Sequence, residues 1–136
     1  MKVKYLHTDE ETDWRLRIKT AKRKPSKLLQ KALQVISETI PGILILEEVT
    51  IPVDKGKKLY LDIYLPKHKV CVECHGKQHG QTRVKFFQTR QQHNKQLQND
   101  NDKYNWCIEN GIKILYFHHD ESPETWQNKL NRALGR

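Results

Sequence analysis

Leu28, Leu29, Ala32, Leu33, Val35 and Ile36 recur at helical spacing, so an amphipathic helix is predicted after Pro25. It should end near Thr39, ahead of Ile40-Pro41-Gly42. The pattern then changes period. ILILEEVTIPV is rich in β-branched residues and is bounded by Pro52 and the turn Asp54-Lys55-Gly56, which predicts a first strand. Leu59 to Leu65 and Lys69 to Cys74 form a β-hairpin about a turn at Pro66 to His68. A very polar stretch, Arg83 to Asn110, follows. Its start is ambiguous between loop and helix, but Leu97, Asn101, Tyr104 and Ile108 take helical steps and Gly111 is a natural stop. Ile112 to Phe117 is a buried-strand run, and Ser122-Pro123 caps a last helix striped by Trp126, Leu130, Ala133 and Leu134.

The predicted order is helix, three strands, helix, strand, helix. This is an α/β chain, a single domain with a mixed β-sheet of about four strands flanked by helices. Residues 1–24 read as a basic N-terminal extension whose anchors are Tyr5, Leu6 and Trp14, and residues 25–136 as the domain proper. No internal repeat is visible.

Alternation within the hairpin separates two side-chain sets. Tyr60, Asp62 and Tyr64 share one face of their strand, and Leu61, Ile63 and Leu65 the other. On the next strand Cys71 and Glu73 lie opposite Val70, Val72 and Cys74. If Leu61, Ile63, Val70 and Val72 face the core, Asp62 and Glu73 come side by side on the other face, although they are far apart in sequence. The plain alternative is a pair of solvent-facing acids on an amphipathic sheet.

Charge changes the meaning of that pair. The chain carries a net +9 over 136 residues. The stretch from Asp13 to Glu38 contains basic residues and no acid between its ends, and so does the stretch from Glu73 to Asp100. Clustered Lys and Arg bind phosphate backbones through counterion release. Arg15, Arg17, Lys22, Arg23, Lys24, Arg83, Lys85, Arg90 and Lys95 are the expected DNA contacts. Paired carboxylates in such a protein point to a divalent metal held against a phosphodiester. No apolar run approaches a membrane span, and MKVKYLHTDEE lacks the apolar stretch of a signal peptide, so a cytoplasmic protein without membrane association is expected. Three cysteines do not suggest a disulfide framework.

The order Asp62, then Glu73-Cys74-His75-Gly76-Lys77-Gln78-His79, then Asn101-Asp102-Lys103, then Asn110-Gly111-Ile112-Lys113-Ile114-Leu115 resembles the PD-(D/E)xK endonuclease superfamily. The likeness is to the branch that holds the very-short-patch repair endonucleases, and it covers about residues 26 to 118. It implies a restriction-endonuclease-like core and a Mg²⁺-dependent endodeoxyribonuclease, with Mn²⁺ as a possible substitute. Asp62, Glu73 and the Cys74 carbonyl would hold the metal. His75 and His79 would move protons and Lys77 would stabilise phosphate charge. A homodimer would let so small a chain cut both strands. A prokaryotic, phage or mobile-element setting fits a stand-alone nuclease.

Two departures stand beside the likeness. The superfamily's Lys, two residues after the acid, is His75 here. The first-helix acid is also missing from Pro25-Ser26-Lys27-Leu28-Leu29-Gln30, which leaves Glu38, Glu47 and Glu48 as substitutes. Both departures favour one alternative, a catalytically inactive DNA-binding module with the nuclease fold. An RNA-directed nuclease is another. A zinc site from Cys71, Cys74, His75 and His79 has suitable ligand types, but Cys71 and Cys74 should face opposite sides of one strand. An HNH-type nuclease would leave Ile112 to Phe117 and the last helix unexplained.

Overall fold

A computed structural model describes residues 1–17, 26–76 and 90–136. Strands β1 (Lys2–Lys4) and β2 (Glu11–Asp13) form a small hairpin. Helix α1 (Lys27–Thr39), strands β3 (Leu46–Asp54), β4 (Lys57–Leu65) and β5 (Val70–His75), helix α2 (Arg90–Glu109), strand β6 (Lys113–His118) and helix α3 (Pro123–Ala133) follow. The main sheet runs β3-β4-β5-β6, antiparallel between its first three strands and parallel between β5 and β6. Parallel neighbours need a long crossover, and α2 lies within it.

Local chemistry sets the element ends; the sequence anticipated the Ser122 cap and the Gly111 stop, but not the Ser26 cap of α1. Ser26 Oγ accepts from the Leu29 N–H at 3.1 Å, and Ser122 Oγ accepts from the Thr125 N–H at 3.2 Å. Each hydroxyl satisfies a helix N–H that has no partner within its own helix. Gly111 ends α2 with φ at 71°, a left-handed turn that lets the Ile112 N–H reach the Cys107 carbonyl at 2.8 Å.

The sheet has a core on each face. On one side Ala32, Val35 and Ile36 of α1, with Trp126 and Leu130 of α3, cover Ile63, Leu65, Val70, Val72 and Phe117. On the other, Trp106 and Cys107 of α2 meet Val49, Ile51, Leu61, Tyr64 and Cys71. Val3 and Trp14 belong to this second core. Residues 1–17 are therefore packed into the domain, ahead of the seven-element order read from the sequence. The Leu6 N–H donates to Val53 O at 2.8 Å and the Thr50 N–H to Arg17 O at 2.9 Å. These bonds occupy the outer edge of β3, which would otherwise present unpaired backbone groups.

Two sequence-level expectations need correction. The first strand begins at Leu46, with Ile43 to Ile45 outside it. The polar stretch is helical over Arg90–Glu109, and its ambiguous start at 83–89 lies outside the described residues. Leu61 does not share a core with Ile63 and Leu65, because it packs with Tyr64 on the α2 side. The pleat is interrupted at Asp62 and Glu48. Ladder partners run Glu47↔Ile63 and then Val49↔Leu61, and Glu48 between them takes a left-handed φ of 48°. A left-handed residue cannot continue the pleat, so inward-facing positions are odd-numbered on one side of Asp62 for one core and on the other side for the second core.

Candidate functional site

Asp62 stands at this interruption. The β4–β5 ladder runs through Leu65↔Val70, Tyr64↔Cys71 and Ile63↔Val72, so the next facing pair is Asp62 and Glu73. Side chains there take over the bonding. The Asp62 N–H donates to Glu73 Oε2 at 2.7 Å, and the Cys74 N–H donates to Asp62 Oδ2 at 3.0 Å. The two acids are thus fixed by the backbone of the opposite strand, as the hairpin reading required.

Burial is where that reading fell short. Glu73 is only 4% exposed, because α2 covers this face. Lys103 of α2 reaches down and donates from Nζ to Glu73 Oε1 at 2.5 Å. Burial raises the Glu73 carboxyl to about 8, the Asp62 charge adds to the rise, and the Lys103 ammonium with its hydrogen bond and that of the Asp62 N–H oppose it. Burial works to lower the Lys103 ammonium, but Glu73 and Asp62 outweigh it and hold the amine above its ordinary value. Cys74, raised to about 12 by burial and then by both acids, offers no thiolate, which leaves its carbonyl as its ligand group.

The parallel pairing of β5 with β6 brings more side chains to the site. Glu73 is the ladder partner of Tyr116, and His75 of His118. The His75 ring lies 4.7 Å from that of Tyr116 and 5.2 Å from that of His118. Burial, then the charge of Glu73, lifts the Tyr116 phenol to about 12, so it is a proton donor at neutral pH. Sequence reasoning missed Lys103, Tyr116 and His118 as site residues. The Lys in Asn101-Asp102-Lys103 was a visible signal, but its approach to Glu73 depends on how α2 packs.

Asp102, beside it in sequence, turns elsewhere. It accepts from Lys57 Nζ at 2.7 Å and from Gln98 Nε2 at 2.8 Å. Of the other predicted residues, Arg15, Arg17, Arg90 and Lys95 are exposed. Lys22, Arg23, Lys24, Lys77, His79, Arg83 and Lys85 lie outside the described residues. Cys71 is buried in the α2-side core, while Cys74 packs against the other one, which separates the two thiols that zinc would need together.

The donor set suits a hard cation on two carboxylates and a carbonyl, with water and substrate oxygens completing the shell. Among the described residues no three His, Cys, Asp or Glu side chains gather at one point. Glu48 flanks Asp62 in the β3–β4 ladder, and its Oε2 is buried with no hydrogen-bond partner among the described residues. Glu38 instead lies at the exposed end of α1 and accepts from Gln34. Glu48 is therefore better placed than Glu38 to stand beside Asp62.

No protein-family model, curated protein or solved structure matches this chain. The residues and their geometry carry the functional reading.

Proposed function

We propose that the chain is a metal-dependent DNA endonuclease of the PD-(D/E)xK kind. One observation carries the proposal: Asp62 and Glu73 face each other across β4 and β5, and Lys103 closes on Glu73. This juxtaposes two acids and a lysine, the residue types whose sequence pattern was incomplete. The lysine arrives from a helix in place of the position two residues after the acid. The order of elements from α1 to β6 agrees with the one the resemblance implies.

Bound Mg²⁺ or Mn²⁺ would acidify a water and neutralise charge on the phosphorane-like transition state. Asp62, Glu73 and the Cys74 carbonyl would hold the ion, with Glu48 as an added acid. The Lys103 ammonium sits against Glu73 and lends positive charge to the phosphate as its oxygens gain negative charge. His75 and His118, side by side at the strand ends, serve proton transfer to the leaving oxygen. Tyr116 orients His75 through ring contact.

One feature favours the binding module instead. Lys103 already balances the charge of Glu73 without a metal. Supercoiled plasmid, incubated with the protein in Mg²⁺, Mn²⁺ or EDTA, separates the two readings. Metal-dependent nicking that Asp62→Ala and Glu73→Ala both abolish is the expected result. Tight binding without cutting by the native chain would favour the module, and cutting that survives both substitutions would refute the site.

A further inference from the structure

Away from the acid pair, a cleft of about 380 Å³ opens between residues 12–17 and the outer face of β3 and β4. Arg15, Arg17 and Lys58 line it, with Thr50 and Pro52 as its floor. The floor exists because the pleat resets at Asp62. Beyond that point Val49, Ile51 and Leu61 turn toward α2, so Thr50, Pro52 and Lys58 are left on the opposite face.

The arm is held firmly there. The Thr50 N–H donates to Arg17 O at 2.9 Å, and Trp14 Nε1 donates to Thr50 O at 2.9 Å. Leu16, between the two arginines, takes a left-handed φ of 53° and packs into the α2-side core. A bulky residue in that region is uncommon, and burial of Leu16 supplies the compensation. With Leu16 inward, Arg15 and Arg17 flank it as exposed side chains. Lys58 is the ladder partner of Pro52, one strand further in. The cations thus lie on the arm and on β4, with β3 between them.

Charge pairing leaves these cations in excess. Of the other charged groups in the cleft, Asp13 is bridged to Lys2 at 2.9 Å and Lys55 to Glu10 at 2.9 Å. Asp54 Oδ1 accepts from the Gly56 N–H at 3.0 Å within its turn. The Arg15 charge also reaches Asp13. Among the described residues, three cations therefore stand against one unbridged carboxylate.

We infer that this cleft binds the phosphates of a DNA backbone as a second contact, distinct from the acid pair. Two guanidiniums present fixed donor forks that match phosphate oxygens, and the Lys58 ammonium adds a point charge. The inference deepens the nuclease reading, since it takes DNA as the ligand, but it does not need cleavage.

The test therefore reads binding in EDTA, using Asp62→Asn protein and a fluorescently labelled DNA duplex over a salt series. Adding R15Q, R17Q and K58Q together should weaken binding about tenfold or more, and flatten the slope of log K against log salt by about 2.7. A control carrying K27Q, K31Q and K67Q removes the same charge from other exposed sites. Equal losses in both would overturn the inference, because net charge alone would then account for the effect. Unchanged binding by the cleft variant would also overturn it, while plasmid nicking by the native chain would leave the nuclease reading standing. Inorganic phosphate that binds the cleft, with no loss of DNA affinity in the variant, would reassign it to a small anion.

Discussion

Lys103 Nζ lies 2.5 Å from Glu73 Oε1, which joins helix α2 to strand β5 at the most buried acid of the fold. The contact links stability to the candidate chemistry, because the same ammonium that offsets a buried carboxylate faces the acid pair.

Replacing Lys103 with Met should expose that linkage. The substitution keeps the packing volume but leaves Glu73 beside Asp62 without its cation. Breaking such a pair should cost about 3 kcal/mol at pH 8. The loss should shrink at pH 6, below the folded Glu73 value of about 8, where the carboxyl already carries a proton and needs no cation to offset it. Urea unfolding at the two pH values measures both, and plasmid nicking should disappear in the same variant.

Glu73 should also impose a pH dependence on the native fold. Its folded value of about 8 lies above the ordinary 4.5, so between those values the folded chain keeps a proton that the unfolded chain releases. Stability then falls as pH rises through that window and levels off above it. Lys103, raised from 10.5, contributes stability that is complete below its ordinary value and lost only at more alkaline pH. Glu73→Gln should flatten the dependence between pH 5 and pH 8 in urea titrations. An unchanged slope would show that the buried acid is not its source.

Asp102 should behave differently from its neighbour. Burial would raise its carboxyl, but hydrogen bonds from Lys57 and Gln98 and the Lys57 charge bring it below the ordinary value. That stability is present above the unfolded value of 3.8 and is lost as pH falls through the lower folded one. Asp102→Asn should cost about 1–2 kcal/mol at neutral pH, and less as the solution becomes strongly acidic. Nicking at saturating DNA should be preserved, unlike in the Lys103 variant.

The histidines at the strand ends predict a kinetic effect without a binding effect. His75→Ala and His118→Ala should each slow nicking about a hundredfold if they carry proton transfer. Affinity for the same plasmid, measured in EDTA, should stay close to that of the native chain. A parallel fall in affinity would make them DNA contacts.

Trp14 tests whether the first residues belong to the fold. Its ring lies 5.3 Å from Trp106 in an edge-to-face contact and 4.9 Å from Tyr64. Trp14→Ala should cost about 3–5 kcal/mol through the cavity it opens. Thermal unfolding with a change below about 1 kcal/mol would mean that the arm is dispensable to the core.

Much of this architecture is legible in the sequence because it rests on local rules. Helical spacing from Leu28 to Ile36, the cap at Ser122, the stop at Gly111 and the hairpin about Pro66 each depend on residues a few positions apart. Hairpin geometry is local too, and it brought Asp62 opposite Glu73 before any packing was considered. Tertiary structure decided what lies between distant elements. Lys103 meets Glu73 because of the way α2 lies across the sheet, and Tyr116 and His118 join the site because β6 pairs in parallel with β5. Trp14 enters the core, and the pleat resets at Asp62, because both faces of one sheet must be covered at once. Periodicity specifies which side of an element is apolar, whereas the partner for that side follows from burial summed over the whole chain.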